Sequence, residues 1–199
     1  MSPKGDVADE RRAHIMQAAL ACFARKGYHL TTMDDIAQES GLSKGSLYWY
    51  FNSKKELFLS IFEAYFRQME TAIQPILEGT LSPSEKLHAL AEMLVDIMAE
   101  AQSFVGVMID FWSQTRYEED INQLVRQIYE PYYQGLAAII EEGIQQGEFR
   151  PVNAAHLASL LMAVYDGLMM QWLVMPEWVD LAGQTETLLD TLLEGLRPR

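Results

Sequence analysis

Thr31–Asn52, TTMDDIAQESGLSKGSLYWYFN, carries the strongest structural signals in the chain. Thr32 carries the hydroxyl of a helix N-cap, and Asp35 stands three residues on, where a capping-box acid reaches back. The short helix that follows buries Ile36 and Ala37, and Gly41 ends it without a Cβ penalty. After the two-residue step Gly41-Leu42, Ser43 caps a second helix. Two short helices on a tight glycine-containing turn make a helix-turn-helix. On the second helix Leu47 and Phe51 share one face at about 100° per residue, so that face packs inward. The opposite face carries Gly45, Ser46, Tyr48 and Trp49, with Lys44 at its margin. Rings with polar tips, small residues that admit a backbone, hydroxyls and a cation suit a major groove and its phosphate walls. The alternative is that Tyr48 and Trp49 pack on the next helix. Residues 41–45 also fit G-x-S-x-G, but a hydrolase elbow needs a buried strand before the serine, and an amphipathic helix ending in Gln38-Glu39-Ser40 stands there instead.

The chain has 199 residues, about half of them apolar, with glycine and proline at segment ends and no strand-length alternation. An all-α fold is expected. A net charge of −13 argues against nucleic acid, but the charge is unevenly distributed. Residues 1–56 hold eight Lys or Arg against seven acids, whereas residues 57–199 hold seven against twenty-one. A near-neutral, lysine-bearing head on an acidic body is compatible with DNA binding through the head. The amino terminus has no apolar signal core, so a cytoplasmic protein is expected. The single cysteine, Cys22, lies on an apolar stripe and gives no disulfide or zinc framework. His14, His29, His88 and His156 are scattered with no ligand partner at metal spacing, and phosphate-cradling glycine loops are absent. No enzyme, metal or cofactor is expected.

Ahead of the decisive stretch, residues 1–10 are polar and read as an arm. A first helix from Asp9 to Lys26 carries Ile15, Ala18, Ala19, Cys22 and Phe23 on one stripe, and Gly27 stops it. Behind it, Ser53-Lys54-Lys55-Glu56 is a capping box opening a fourth helix to about Leu77. Lys54 and Lys55 lie at the wrong helix end for cations, which a phosphate there would offset; two solvated lysines are the alternative.

Residues 23–58, FARKGYHLTTMDDIAQESGLSKGSLYWYFNSKKELF, resemble the DNA-binding domain of the tetracycline-repressor (TetR) family of bacterial transcription regulators. The likeness extends over about residues 11–62. It implies an all-α protein with a three-helix head, residues 1–52, and a six-helix ligand-binding and dimerisation body, residues 53–199. It further implies a homodimer that binds a palindromic operator in double-stranded DNA, usually as a repressor, and that releases it when a small molecule enters the body. Thr32, Lys44, Gly45, Ser46, Tyr48, Trp49, Tyr50 and Lys54 fall on positions that usually touch DNA, and Ser43, the cap of the second helix, is grouped with them.

The remainder reads as five helices: Pro83 to Ala101, Ser103 to Thr115, Glu118 to Gly147 with a break or kink expected at Pro131, Ala154 to Met175, and Pro176 to Gly195. The eighth is apolar nearly all round and long enough to span a bilayer, but Asp166 near its middle argues against that at about 2.5–3.5 kcal/mol. It reads instead as buried from two directions. With the ninth helix it is expected to form the dimer interface through Leu157, Leu160, Leu161, Val164, Leu168, Leu188 and Leu192. Aromatic and methionine residues crowd the body, and Phe62, Phe66, Phe104, Met108, Phe111, Trp112, Tyr132, Met162, Tyr165 and Met169 are candidates to line a pocket. The same residues are also the ordinary filling of a helical core, which is the first reading for any single one of them. Asp110 and Asp166 are acids in apolar runs; an unpaired one beside aromatics would favour a cationic or amine-bearing ligand over a fatty acid or acyl thioester.

Overall fold

The computed structural model describes residues 3–100, 102–114 and 119–198, and every regular element among them is a helix. In order these are α1 (Pro3–Leu30), α2 (Met33–Ser40), α3 (Lys44–Tyr50), α4 (Lys54–Glu78), α5 (Pro83–Glu100), α6 (Gln102–Gln114), α7 (Glu119–Gln145), α8 (Ala154–Val174) and α9 (Leu181–Leu196). The expected helix ends Ala101, Thr115 and Glu118 lie outside the described residues. The chain falls into two compact units, Met1–Gln68 with Ser103–Ile121 and Met69–Gln102 with Asn122–Arg199. This division differs from the 52/53 boundary drawn from motifs. Its cause is a column of rings: Phe58 stands 5.4 Å from Phe23 and 5.1 Å from Phe62, and Phe62 stands 5.0 Å from Phe104. The first turns of α4, together with α6, share one core with the helix-turn-helix.

Within the first unit the local signals form as their chemistry dictates. Thr32 Oγ1 accepts from the Asp35 N–H at 3.1 Å while Asp35 Oδ2 accepts from the Thr32 N–H at 2.9 Å, closing the capping box. The Lys26 ammonium, with Thr32, holds the Asp35 carboxyl well below the usual carboxylate range. Gly41 sits at φ +67° and ends α2, and Ser43 Oγ accepts from the Ser46 N–H to open α3. Ile36, Leu47 and Phe51 are fully buried. Two expectations change. Residues 3–8 are helical and continuous with α1, Pro3 fitting a first helical position. Gly27 does not simply stop α1; at φ +76°, ψ 160° it breaks the helical geometry, and a further turn to Leu30 follows.

In the second unit Leu87 and Leu90 of α5, Ile139 of α7, Phe149, and Leu189 and Leu196 of α9 form the buried core. Ala154 and Ala158 of α8 pack on Ile140 of α7. Lys86 is nearly buried and paired with Glu142 at 2.8 Å, which ties α5 to α7. The break expected at Pro131 does not occur, since α7 runs through it. The last helix starts five residues later than expected, because Asp180 accepts from the Gly183 N–H and caps it. Among the described residues α8 alone is long and apolar enough to cross a membrane.

Candidate nucleic-acid interface

α3 is two turns long, and its inward anchors fix what it shows outside. With Leu47 and Phe51 fully buried, Tyr48 is 42% exposed and Trp49 75% exposed. Ser43, Lys44, Gly45 and Ser46 are exposed as well, and Thr32 at the start of α2 joins them at the surface. Neither ring is tucked into the protein. Tyr50 is half-buried and meets Trp49 edge-on at 4.6 Å, which stiffens the indole. Ser46 Oγ lies 2.8 Å from Ser43 Oγ, so both hydroxyls are aimed by the cap. Lys44 is paired with Asp34 at 2.7 Å, and that carboxylate raises the pKa of its ammonium. A phosphate or a guanine edge would compete with Asp34 for the same cation.

Lys54, expected at a phosphate, has partners within its own chain. Its ammonium donates to the carbonyls of Tyr28 at 2.6 Å, Thr31 at 2.8 Å and His29 at 3.3 Å, and lies 4.4 Å from the centre of the Tyr28 ring. Three acceptors match its three protons. Burial pushes its pKa down. The physical reason is proximity: the end of α1 presents outward-facing carbonyls to the first turn of α4, and the nearest cation satisfies them. The other lysine of the pair, Lys55, is half-buried.

Sequence reasoning missed Arg12. Its guanidinium donates to the Tyr50 carbonyl at 3.1 Å and to Ser60 Oγ at 3.0 Å, and lies 4.1 Å from the Phe51 ring centre. One side chain of α1 thus fastens the end of α3 to α4. The signal was present, since Arg12 falls three residues before Ile15 on the apolar stripe, where a charge needs a reason.

The candidate effector residues divide between the units. In the first, Phe62, Phe104 and Met108 are buried, Phe66 and Trp112 are half-buried, and the Phe111 side chain lies outside the described residues. Phe104 stacks on Tyr65 at 3.7 Å, so these rings fill a core. Asp110 is not an unpaired pocket acid: its Oδ2 accepts from the Tyr28 N–H at 2.9 Å. In the second unit Met169 is buried and Tyr132, Met162, Tyr165 and Asp166 are half-buried. Tyr129 of α7 donates to Asp166 Oδ1 of α8 at 3.3 Å. Burial pushes the Asp166 carboxyl up to about 6, against the lowering effect of that hydrogen bond. Burial likewise pushes the Tyr132 phenol up to about 12. Among the described residues no cation is paired with Asp166.

Of the expected dimer contacts, Leu157, Leu161 and Leu192 pack partly buried against the core of their own chain. Leu168 and Leu188 are half-buried, Leu160 is 62% exposed, and Val164 is exposed. Leu157, Leu160, Leu188 and Leu192 line one open groove of about 500 Å³ between α8 and α9.

Residues 15–61 match the tetR family of bacterial regulatory proteins, and residues 83–198 match the C-terminal domain of BetI-type transcriptional repressors. The HTH-type transcriptional regulator YfiR of Bacillus subtilis is 32% identical over 94% of this chain and 93% of its own length. The HTH-type transcriptional regulator TtgR of Pseudomonas putida is 28% identical over 96% and 93%. Among solved structures, a transcriptional regulator from Saccharomonospora viridis in complex with choline superposes with a TM-score of 0.86, at 27% identity, over 96% of this chain and all of the other.

Proposed function

The chain belongs to the tetR family of bacterial regulatory proteins, DNA-binding transcriptional regulators, and from that premise we propose a cytoplasmic repressor that works as a homodimer. In this reading residues 1–52 hold a palindromic operator, and residues 53–199 dimerise and bind the molecule that releases it. Two copies of α3 enter successive major grooves about 34–36 Å apart, or further on a longer operator. The observation that carries the reading is the outward face of α3, where Tyr48 and Trp49 stand in solvent beside Lys44, Ser43 and Ser46. Selection of duplexes from a random pool tests it: an inverted repeat should be enriched, and recovery of no common sequence would refute it.

For the effector, the half-buried Asp166, bonded to Tyr129 beside Tyr165, favours an apolar molecule bearing a positive charge. The choline bound by the Saccharomonospora viridis regulator supports the same class. Its binding displaces α4 and so changes the separation of the two recognition helices. A 100-fold loss of operator affinity needs the two states to differ by about 2.7 kcal/mol in effector affinity. Choline and longer trimethylammonium compounds should release the selected duplex, whereas the uncharged isostere 3,3-dimethylbutanol should not. Release by a long-chain acyl thioester alone would overturn the cationic class and leave the DNA reading intact.

A further inference from the structure

The turn that joins α1 to the helix-turn-helix is held by charges from two other helices. With Gly27 at φ +76°, the Tyr28 amide donates to Asp110 Oδ2 of α6 at 2.9 Å. The carbonyl of the same residue accepts from Lys54 Nζ of α4 at 2.6 Å. Lys54 continues to the Thr31 carbonyl at 2.8 Å, one residue before the cap of α2, and the Tyr28 ring lies 4.3 Å from Phe58. Glycine is favoured at 27 because its φ is one that L side chains rarely adopt; a Cβ there would stand in ordinary contact, 3.4 Å from Asp110 Oδ2. A carboxylate on an N–H and an ammonium on a carbonyl are each charge-assisted bonds, stronger than neutral ones and fixed in direction. Neither Asp110 nor Lys54 belongs to the face that α3 offers to DNA.

We propose that Asp110 and Lys54 are positioning residues for operator binding, clamping the backbone of Tyr28 from opposite sides so that the helix-turn-helix takes its register from α6 as well as from α4. The inference rests on the regulator reading and extends it to residues outside the DNA-facing surface. A shift of α6 would then tilt the head through Asp110 with no contact between effector and head. It also explains why Lys54 stands at a helix N-terminus, where a cation is otherwise unfavourable: it serves the carbonyl end of α1.

The test uses the full-length protein and a duplex selected by the wild type. Asp110→Ala should weaken operator binding about tenfold, within the usual range of coupling between sites, with sequence preference and salt slope unchanged. Hydrogen exchange at the Tyr28 amide should rise at least about tenfold, while the amides of Ile36 and Leu47 keep their protection. Asp110→Asn keeps an acceptor oxygen for that amide and should restore most of the affinity. Unchanged affinity in Asp110→Ala, no rescue by Asp110→Asn, or loss of protection at Ile36 and Leu47 together with Tyr28 would each overturn the proposal. For the other half of the clamp, Lys54→Met should weaken binding with the salt slope retained; a slope smaller by about 0.9 would make Lys54 a phosphate contact instead. Failure of the wild type to select any duplex would sink the regulator reading itself, whereas selection by wild type with Asp110→Ala equally tight sinks this inference alone.

Discussion

Trp49 keeps three-quarters of its surface in water while Leu47, two positions earlier, keeps none, and this contrast on one short helix is where the chemistry of the protein begins. An exposed indole contributes little to folding, so Trp49→Ala should leave the unfolding free energy from urea titration within about 0.5 kcal/mol of wild type. The same change should lower affinity for the selected duplex at least about tenfold, about 1.4 kcal/mol, because it removes the ring and its N–H from the groove-facing surface. Fluorescence anisotropy beside a denaturation curve separates the two effects. Asp34 competes with DNA for Lys44 across a 2.7 Å ion pair. Asp34→Asn should therefore tighten binding to all duplexes several-fold at low salt, an effect that fades as salt is raised. Asp166 gives a pH signature. Its carboxyl titrates near 6 in the fold, against 3.8 for an unperturbed aspartate. Between those values the folded chain holds a proton that the unfolded chain has lost, so stability falls as pH rises from about 4 to 6. Asp166→Asn should match wild type near pH 4 and exceed it above pH 7 by about 1 kcal/mol, a figure reduced for the site's partial exposure. Urea unfolding at the two pH values measures the gap.

At the scale of elements, local chemistry decides what a sequence reader can see. The capping box at Thr32, the stop at Gly41, the cap at Ser43 and the stripe Ile15–Phe23 are signals a few residues long, and the structure forms each of them. Legibility fails where a partner distant in sequence decides. The ammonium of Lys54 is claimed by carbonyls more than twenty residues away, and Asp110 by an amide 82 residues away. No periodicity announces either. α8 fails for a different reason: a helix apolar on every side does not say which side is the core. On a single chain Leu157 and Leu161 pack partly buried against its own core, while Leu160, Val164, Met170 and Val174 are exposed. The turn from α7 to α8 shows a constraint of close approach. The Glu148 and Phe149 amides both donate to the Gly143 carbonyl, and a Cβ on Gly143 would overlap the Phe149 ring. Gly143→Ala should cost about 1–3 kcal/mol in urea unfolding by forcing that buried ring aside, without altering the selected DNA sequence.

At the scale of the whole molecule, the distribution of charge along the chain and the exposed apolar residues of α8 each predict a partner. The head of residues 1–56 is nearly neutral with five of the six lysines, while residues 57–199 hold three acids for every base. The acidic body repels a duplex, so only a head held towards DNA can bind it. One head spans one half-site, and a palindrome is read only if two chains are joined by a two-fold axis. α8 is the candidate for that axis, since Leu160 and Val174 are 62% and 67% exposed on a single chain and Val164 and Met170 lie between them in sequence. Burying one such side chain contributes about 1.5–3 kcal/mol, and a two-fold axis counts every contact twice. Leu160→Glu would place two carboxylates in that seam by symmetry while leaving the fold of each chain untouched, because the residue makes no part of the chain's own core. Sedimentation equilibrium should show the wild type as a dimer at micromolar concentration and Leu160→Glu as a monomer with unchanged far-ultraviolet helicity. Affinity for the palindrome should then fall to that of a single head, whereas a variant still sedimenting as a dimer would move the interface off α8.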